Sequence, residues 1–420
     1  MKHQNTIFKI LLFAVYPLLF LLYCLLCSNF GGHGADMFCW KAWAVFNAEH
    51  GLKHIYNSFT DYLPLYHYVL YLFGKIHGGN PEAIHQFAYQ LRYFTLLCEF
   101  AGGLFLLKFV HEKYKNIYKS VAYSMIYFAN LLLFYNSVVW GQVDGILASL
   151  AFISFFFAYK QKITGSILVF LLALNLKLQA IIFLPAIGLM LLPAMIEQFS
   201  WKNLSKWILI PSILQLLILA PFIISGDIDK MWSIVTNSMG KYPVVSMNAY
   251  NIWDILLKGD LMTISDNLLF LKISYKHWGL IMFFASSFFA LLYLLKYNYQ
   301  KIRKKAAALS LEKALIICSL IPLLFFFFNT QMHERYLHPS LIFLAIYTIL
   351  SKRPLPYIIL NIAYFINLDT VLMQFKVFNG CSRECCAVMY LITIIILFYD
   401  LYRKPSIKTK LLQHLSFKHK

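Results

Sequence analysis

Three polar clusters break an otherwise apolar chain, and each carries side chains able to move a proton or hold an anion. The first is Gly34-Ala35-Asp36, whose carboxylate could act as a general base toward a hydroxyl. The second, Trp140-Gly141-Gln142-Val143-Asp144, sets an amide and another carboxylate in a tight turn. The third runs from Asn329 through His333-Glu334-Arg335-Tyr336 to His338. Arginine presents a planar fork that matches phosphate oxygens, and histidine adds a donor. Lys177 and Gln179 stand between two apolar runs and could complete such an anion site.

Each cluster also has a bland reading. Aspartate is a favoured N-cap, so Asp36 and Asp144 could each only satisfy backbone donors of a helix. The third cluster could be a solvated loop, but His333, Glu334, Arg335 and His338 are costly to set beside apolar helices without a purpose. Lys177 could merely snorkel. Glu99, inside an apolar run, pairs most simply within a bundle.

Several chemistries are excluded by what is missing. The chain has no P-loop and no GxGxxG, so nucleotide-driven transport is not indicated. His333 and His338 are five apart and do not share a helix face, unlike the zinc-protease pair. There is no GxSxG elbow. Adjacent Cys385 and Cys386 do not make a zinc ribbon, although with Cys381 they leave a loop disulfide open.

The elements that position these residues follow from composition. Of 420 residues 60% are hydrophobic and only 13% charged, with a mean hydropathy of +0.65. A soluble domain carries about a quarter charged residues. Apolar runs near 7–28, 93–110, 119–138, 144–160, 164–177 and 179–196 predict the first six membrane spans. Six more fall near 206–224, 277–296, 313–328, 338–350, 354–368 and 386–402. The expected fold is therefore an all-α polytopic bundle of about twelve transmembrane helices in a single domain, 1–420. The fifth and tenth runs are short for a span.

The net charge of +19 comes in short Lys/Arg blocks between runs, at 113–119, 160–162, 301–305, 352–353 and the tail 403–420. That pattern marks cytoplasmic loops against anionic lipid and argues against nucleic acid. Both termini are then cytoplasmic, the first span is retained, and all three polar clusters face the periplasm, the outside or a lumen. Two long loops share that face, 29–92 and 225–276. In the first, Asp36 to Gly51 reads as an interfacial helix with Met37, Trp40, Trp43, Ala44 and Ala48 on one side, and a second follows over 61–73.

The order of these pieces resembles the GT-C superfamily of polyprenyl-phosphate-sugar-dependent glycosyltransferases. The pieces are an acid in a long first outer loop, Trp140-Gly-x-x-Asp144, Lys177-x-Gln179, Ser246-x-Asn248-Ala-x-Asn251-x-Trp253 and His333-Glu-Arg-Tyr336. The last is similar to a His-Glu-Lys motif of dolichol-pathway glucosyltransferases, with Arg335 in place of lysine. The resemblance covers nearly the whole chain, but the first-loop acid is a lone Asp36, not an acidic pair, and nothing here resembles the soluble domain of an oligosaccharyltransferase.

The resemblance implies inverting transfer of a hexose, mannose or glucose by analogy, from a polyprenyl-phosphate carrier to a glycan or glycolipid hydroxyl. Asp36 or Asp144 would be the base, and His333, Arg335 and Lys177 would hold the donor phosphate. Gln142, Glu334, Tyr336, Asn248, Asn251 and Trp253 would bind substrate. No cofactor is required, although Asp36 and Asp144 could share a divalent cation. The rivals are a lipid-linked sugar flippase or other transporter, expected to carry its polar groups at the midplane, and a surface-polysaccharide polymerase.

Overall fold

A computed structural model describes residues 2–237, 240–303, 308–376 and 380–403, with side chains from residue 13 onward. Lys304, Lys305 and the tail beyond Arg403 lie outside the described residues. In hydrocarbon every backbone polar group must be paired, and a helix does so within its own segment. The described chain is accordingly all-α, apart from four two-residue strands.

Helix α1 (Lys2–Leu26) turns through 97° into α2 (Gly34–His50), and α3 (Pro64–Ile76) and α4 (Pro81–Gln86) complete the first long loop. The bundle continues with α5 (Leu91–Tyr114), α6 (Ile117–Phe128), α7 (Leu131–Phe134), α8 (Asp144–Tyr159), α9 (Ile163–Leu176), α10 (Leu184–Glu197) and α11 (Trp201–Ile224). The second long segment holds α12 (Ile228–Asn237), β1 (Ser246–Met247), α13 (Ile252–Leu256), β2 (Leu269–Phe270) and β3 (Ile273–Ser274). Then come α14 (Tyr275–Ile302), α15 (Leu311–Phe328), β4 (Met332–His333), α16 (Ser340–Ser351), α17 (Leu355–Leu372) and α18 (Arg383–Tyr402).

Among the described residues seven helical segments are long and apolar enough to cross a membrane, or nine if each of two bent pairs counts as one span. Helices α8, α9 and α16 are apolar but have only 16, 14 and 12 residues. α8 and α16 are buried almost throughout, so neighbouring helices surround them rather than lipid. The run 119–138 is not one straight helix. It breaks by 46° at Asn130, whose side chain accepts from Leu132 N at 2.7 Å and caps a new start.

Small residues let the central helices approach closely. A Cβ on Gly103 would stand 2.3 Å from the Phe128 ring, and one on Gly145 would stand 2.2 Å from Glu99. By contrast α11 and α14 present Leu209, Leu216, Leu217, Phe284 and Phe288 outward, a surface suited to a bilayer. A separate aromatic core lies under the first loop. Trp40 and Trp43 pack there with Tyr66, Leu147, Leu176 and Phe222, as the α2 stripe predicts. Gly51 ends α2 at φ +83°, a conformation that favours glycine.

The two ends of the bundle differ in character. At one, basic turns are tied by Lys160–Glu112 (2.5 Å), Lys301–Glu197 (3.0 Å) and Arg353–Asp400 (2.7 Å). At the other, the three polar clusters meet. In a cysteine-free background, single cysteines at exposed Glu49 and Lys258 should react with an impermeant thiol reagent from one side only. Cysteines at Lys115 and Lys352 should react only from the opposite side. Labelling of all four from one side would refute this arrangement.

Candidate functional site

The site begins where α1 gives way to α2. His33 is the N-cap residue of α2, but its side chain makes no capping bond. Asp36 sits in the first turn, and neither residue serves the cap that the sequence allowed for Asp36. Its Oδ2 instead accepts from the Trp140 indole N–H at 2.8 Å and lies 3.1 Å from His33 Nδ1.

Arg92, counted with the first outer loop in the sequence, is a buried clasp in the first turn of α5. Its Nη1 lies 2.8 Å from each of the carbonyls of Cys27, Phe30 and Val138. It thereby binds the turn before His33 to the segment before Trp140. Gly32 and Gly141, at φ +80° and +85°, leave room for it: a Cβ would approach its guanidinium to 2.6 and 2.9 Å. Gly141→Ala should therefore lower thermal stability in detergent by about 1–3 kcal/mol, from left-handed strain and crowding. An unchanged melting temperature would refute this account.

Trp140 ends a π-helical turn, Tyr135–Trp140, of the kind that often marks functional sites. The indole is fully buried and joins the clusters. It stacks on the His33 ring at 4.9 Å and 19°, donates to Asp36, and lies 5.8 Å from the Arg335 guanidinium.

Asp144 proves to be neither a cap nor a wall residue. Val143 is the N-cap of α8, and Asp144 is 1% exposed behind the cavity. Its Oδ1 takes Lys177 Nζ at 2.6 Å, and its Oδ2 lies 3.5 Å from Arg335 Nε. The geometry is that of a counter-ion to two cations. Gln142, also fully buried, lies off the cavity wall as well. Asp144→Asn leaves buried Arg335 and half-buried Lys177 short of charge. A destabilisation of about 3–5 kcal/mol in thermal unfolding is expected, and near-zero change would contradict the counter-ion role.

The His333 cluster hangs on a frame. β1 pairs in parallel with β4, Ser246 opposite Met332 and Met247 opposite His333. Asn251 caps α13 through a capping box and donates to the Phe326 and Asn329 carbonyls at 3.2 and 3.3 Å. Trp253 Nε1 donates to Phe328 O at 3.1 Å. Asn251 and Trp253 thus hold the frame and lie off the cavity wall, whereas Asn248 lines the cavity. Gln179 donates to Tyr336 O at 2.9 Å. Below, His338 lies 3.4 Å from Glu99, the pairing within the bundle expected for that acid.

The site opens on a cavity of about 930 Å³. His33, Asp36, Lys177, Glu334, Arg335 and Tyr336 line it, as does His333. Glu334 is buried and receives Arg335 Nη1 at 2.8 Å, so the solvated-loop reading fails. Lys241 pairs with Asp61 at the rim and joins the two long loops, a contact no local motif announces.

Burial pushes the Asp36 carboxyl up, but His33, the Arg335 charge, Trp140 and Gln142 outweigh it and hold the group well below the usual carboxylate range. Burial and the Arg335 charge hold His333 well below the usual imidazole range. Burial opposes the charge on Arg335, but Asp36, Glu334 and Asp144 raise its pKa well above the ordinary value.

Among the described residues no three His, Cys, Asp or Glu side chains converge as a metal site. Asp144 Oδ1 takes Lys177 Nζ, and Arg335 Nε lies 3.5 Å from Oδ2 where the sequence allowed a shared dication. All eight cysteines are free, with the Cys381 and Cys386 sulfurs 3.8 Å apart. No protein-family model matches the chain, and no curated protein matches it.

Proposed function

We propose that this protein is an inverting glycosyltransferase that moves a hexose from a polyprenyl-phosphate-linked donor to an acceptor hydroxyl. The donor comes from the bilayer, the acceptor is a glycan or glycolipid, and the basic turns at the opposite end of the bundle support an extracytoplasmic site. The observation that carries the reading is that an anionic proton-handling group and two cations line one cavity, gathered around one buried indole. Asp36 and His33 stand on one side of Trp140, and Arg335 with Lys177 on the other.

The chemistry asks little more. A phosphate is a competent leaving group once its charge is neutralised. The Nε and Nη1 edges of Arg335 face Asp144 and Glu334, which leaves Nη2 for a donor oxygen. His333 adds a neutral imidazole that can donate one hydrogen bond. The acceptor hydroxyl loses its proton at the His33–Asp36 side while its oxygen attacks the anomeric carbon from the face opposite the phosphate, inverting the centre.

The test is transfer of radiolabelled hexose from a synthetic polyprenyl-phosphate donor by the purified protein in detergent, with a lipid-linked glycan extract as acceptor. Labelled product supports the reading. Movement of the donor across proteoliposomes without any chemical transfer would instead establish a flippase.

A further inference from the structure

Resting on the glycosyl-transfer reading, we infer that His33 Nε2 receives the acceptor's proton and that Asp36 orients and charge-stabilises the imidazole.

The geometry is that of a histidine held for one task. His33 Nδ1 is sealed from solvent, and Asp36 Oδ2 lies 3.1 Å from it. A carboxylate at that nitrogen selects the tautomer protonated on Nδ1, which leaves the lone pair on Nε2. The ring is pinned by its stack on Trp140, and the same indole donates to the same Asp36 oxygen. The side chain is 32% exposed and borders the cavity, so a ligand can reach its other edge.

A structural explanation for His33 is weak. As the N-cap residue it makes no capping bond, and neighbouring Gly31 and Gly34 would accept a Cβ without contact. Asp36 is a poor proton acceptor. Its Oδ2 already accepts from the Trp140 indole, and the carboxyl is held well below its usual range, so it stays ionised and weakly basic.

The step balances as follows. The acceptor O–H bond breaks and its proton goes to His33 Nε2. The oxygen's electron pair forms the new bond to the anomeric carbon. The bond from that carbon to the phosphate oxygen breaks, and its electrons leave on the phosphate between Arg335 and Lys177. The imidazolium, facing Asp36, then returns its proton to solvent.

The experiment compares wild type, His33→Ala and His33→Asn in the labelled-donor assay at matched protein, with donor photo-crosslinking as a separate binding readout. Both variants should crosslink donor normally yet transfer hexose about 10²–10⁴-fold more slowly. Added imidazole should restore part of the rate to His33→Ala, which a purely structural role would not permit. His33→Asn keeps a donor toward Asp36, so it decides the matter if the alanine variant does not fold. Wild-type rates in either folded variant, or a loss that imidazole does not relieve in folded His33→Ala, would overturn the assignment. No transfer by the wild type would reject the glycosyltransferase reading itself.

Discussion

Asp36→Asn is expected to leave the protein folded and able to bind donor but to slow hexose transfer by about 10²–10⁴-fold. Asparagine has nearly the same shape, and its oxygen can still accept from Trp140. Asp36 does not cap α2, so no backbone donor loses its partner. What disappears is the negative charge beside His33 Nδ1. Without it the imidazole is free to take the other tautomer, which turns an N–H rather than a lone pair toward the cavity. A triad aspartate changed to asparagine costs about 10⁴ for that reason. The measurement is turnover at saturating donor beside photo-crosslinking at matched protein. Full turnover by a folded Asp36→Asn would remove this end of the cavity from the chemistry. The variant tests the pair as a unit; His33→Ala and its rescue by imidazole then decide where the proton goes.

Arg335→Ala should produce the other large effect, divided between donor use and stability. The guanidinium faces Glu334 and Asp144, both buried. Its removal leaves two carboxylates facing apolar helices with only Lys177 opposite, at a cost of about 3–5 kcal/mol in thermal unfolding. Donor binding should fall by roughly 30- to 1,000-fold, the equivalent of about 2–4 kcal/mol for a desolvated charged contact. Arg335→Lys separates the two effects. It keeps the charge, and so most of the stability, but a single ammonium cannot span two carboxylates and a phosphate as a fork does. Near-normal melting with weakened donor crosslinking is expected for the lysine variant. Equal donor crosslinking in all three proteins would dismiss the residue from phosphate binding.

The helices were legible because apolar runs of this length permit little else, and α2 was legible down to its glycine stop. The meeting of the three clusters at one end followed from run parity and charge. Roles within the clusters were harder to read, because they depend on partners far away in the chain. Asp144 looks like a substrate-facing acid until Lys177 and Arg335 arrive from positions 33 and 191 residues later. Asn251 and Trp253 sit in a polar, aromatic motif that suggests ligand contact, yet their donors go to carbonyls at the end of α15. A motif cannot distinguish a side chain that serves a ligand from one that serves the loop holding the ligand. Arg92 and His33 were overlooked for the converse reason. A single arginine at a span's edge and a histidine between glycines carry no spacing signal, and their roles appear only when Trp140 is placed between them.

The π turn at Tyr135–Trp140 makes the site separable from the bundle that holds it. Such a turn is an α-helix with one residue inserted, and each residue rotates the following side chains by about 100°. Removing a residue between Tyr135 and Val139 would restore ordinary helical register and swing the indole away from Asp36, His33 and Arg335 together. The helices on either side would keep their lipid-facing and core-facing surfaces. A bundle with this cluster gathered around the indole and one without it can thus differ by a single codon's insertion or loss.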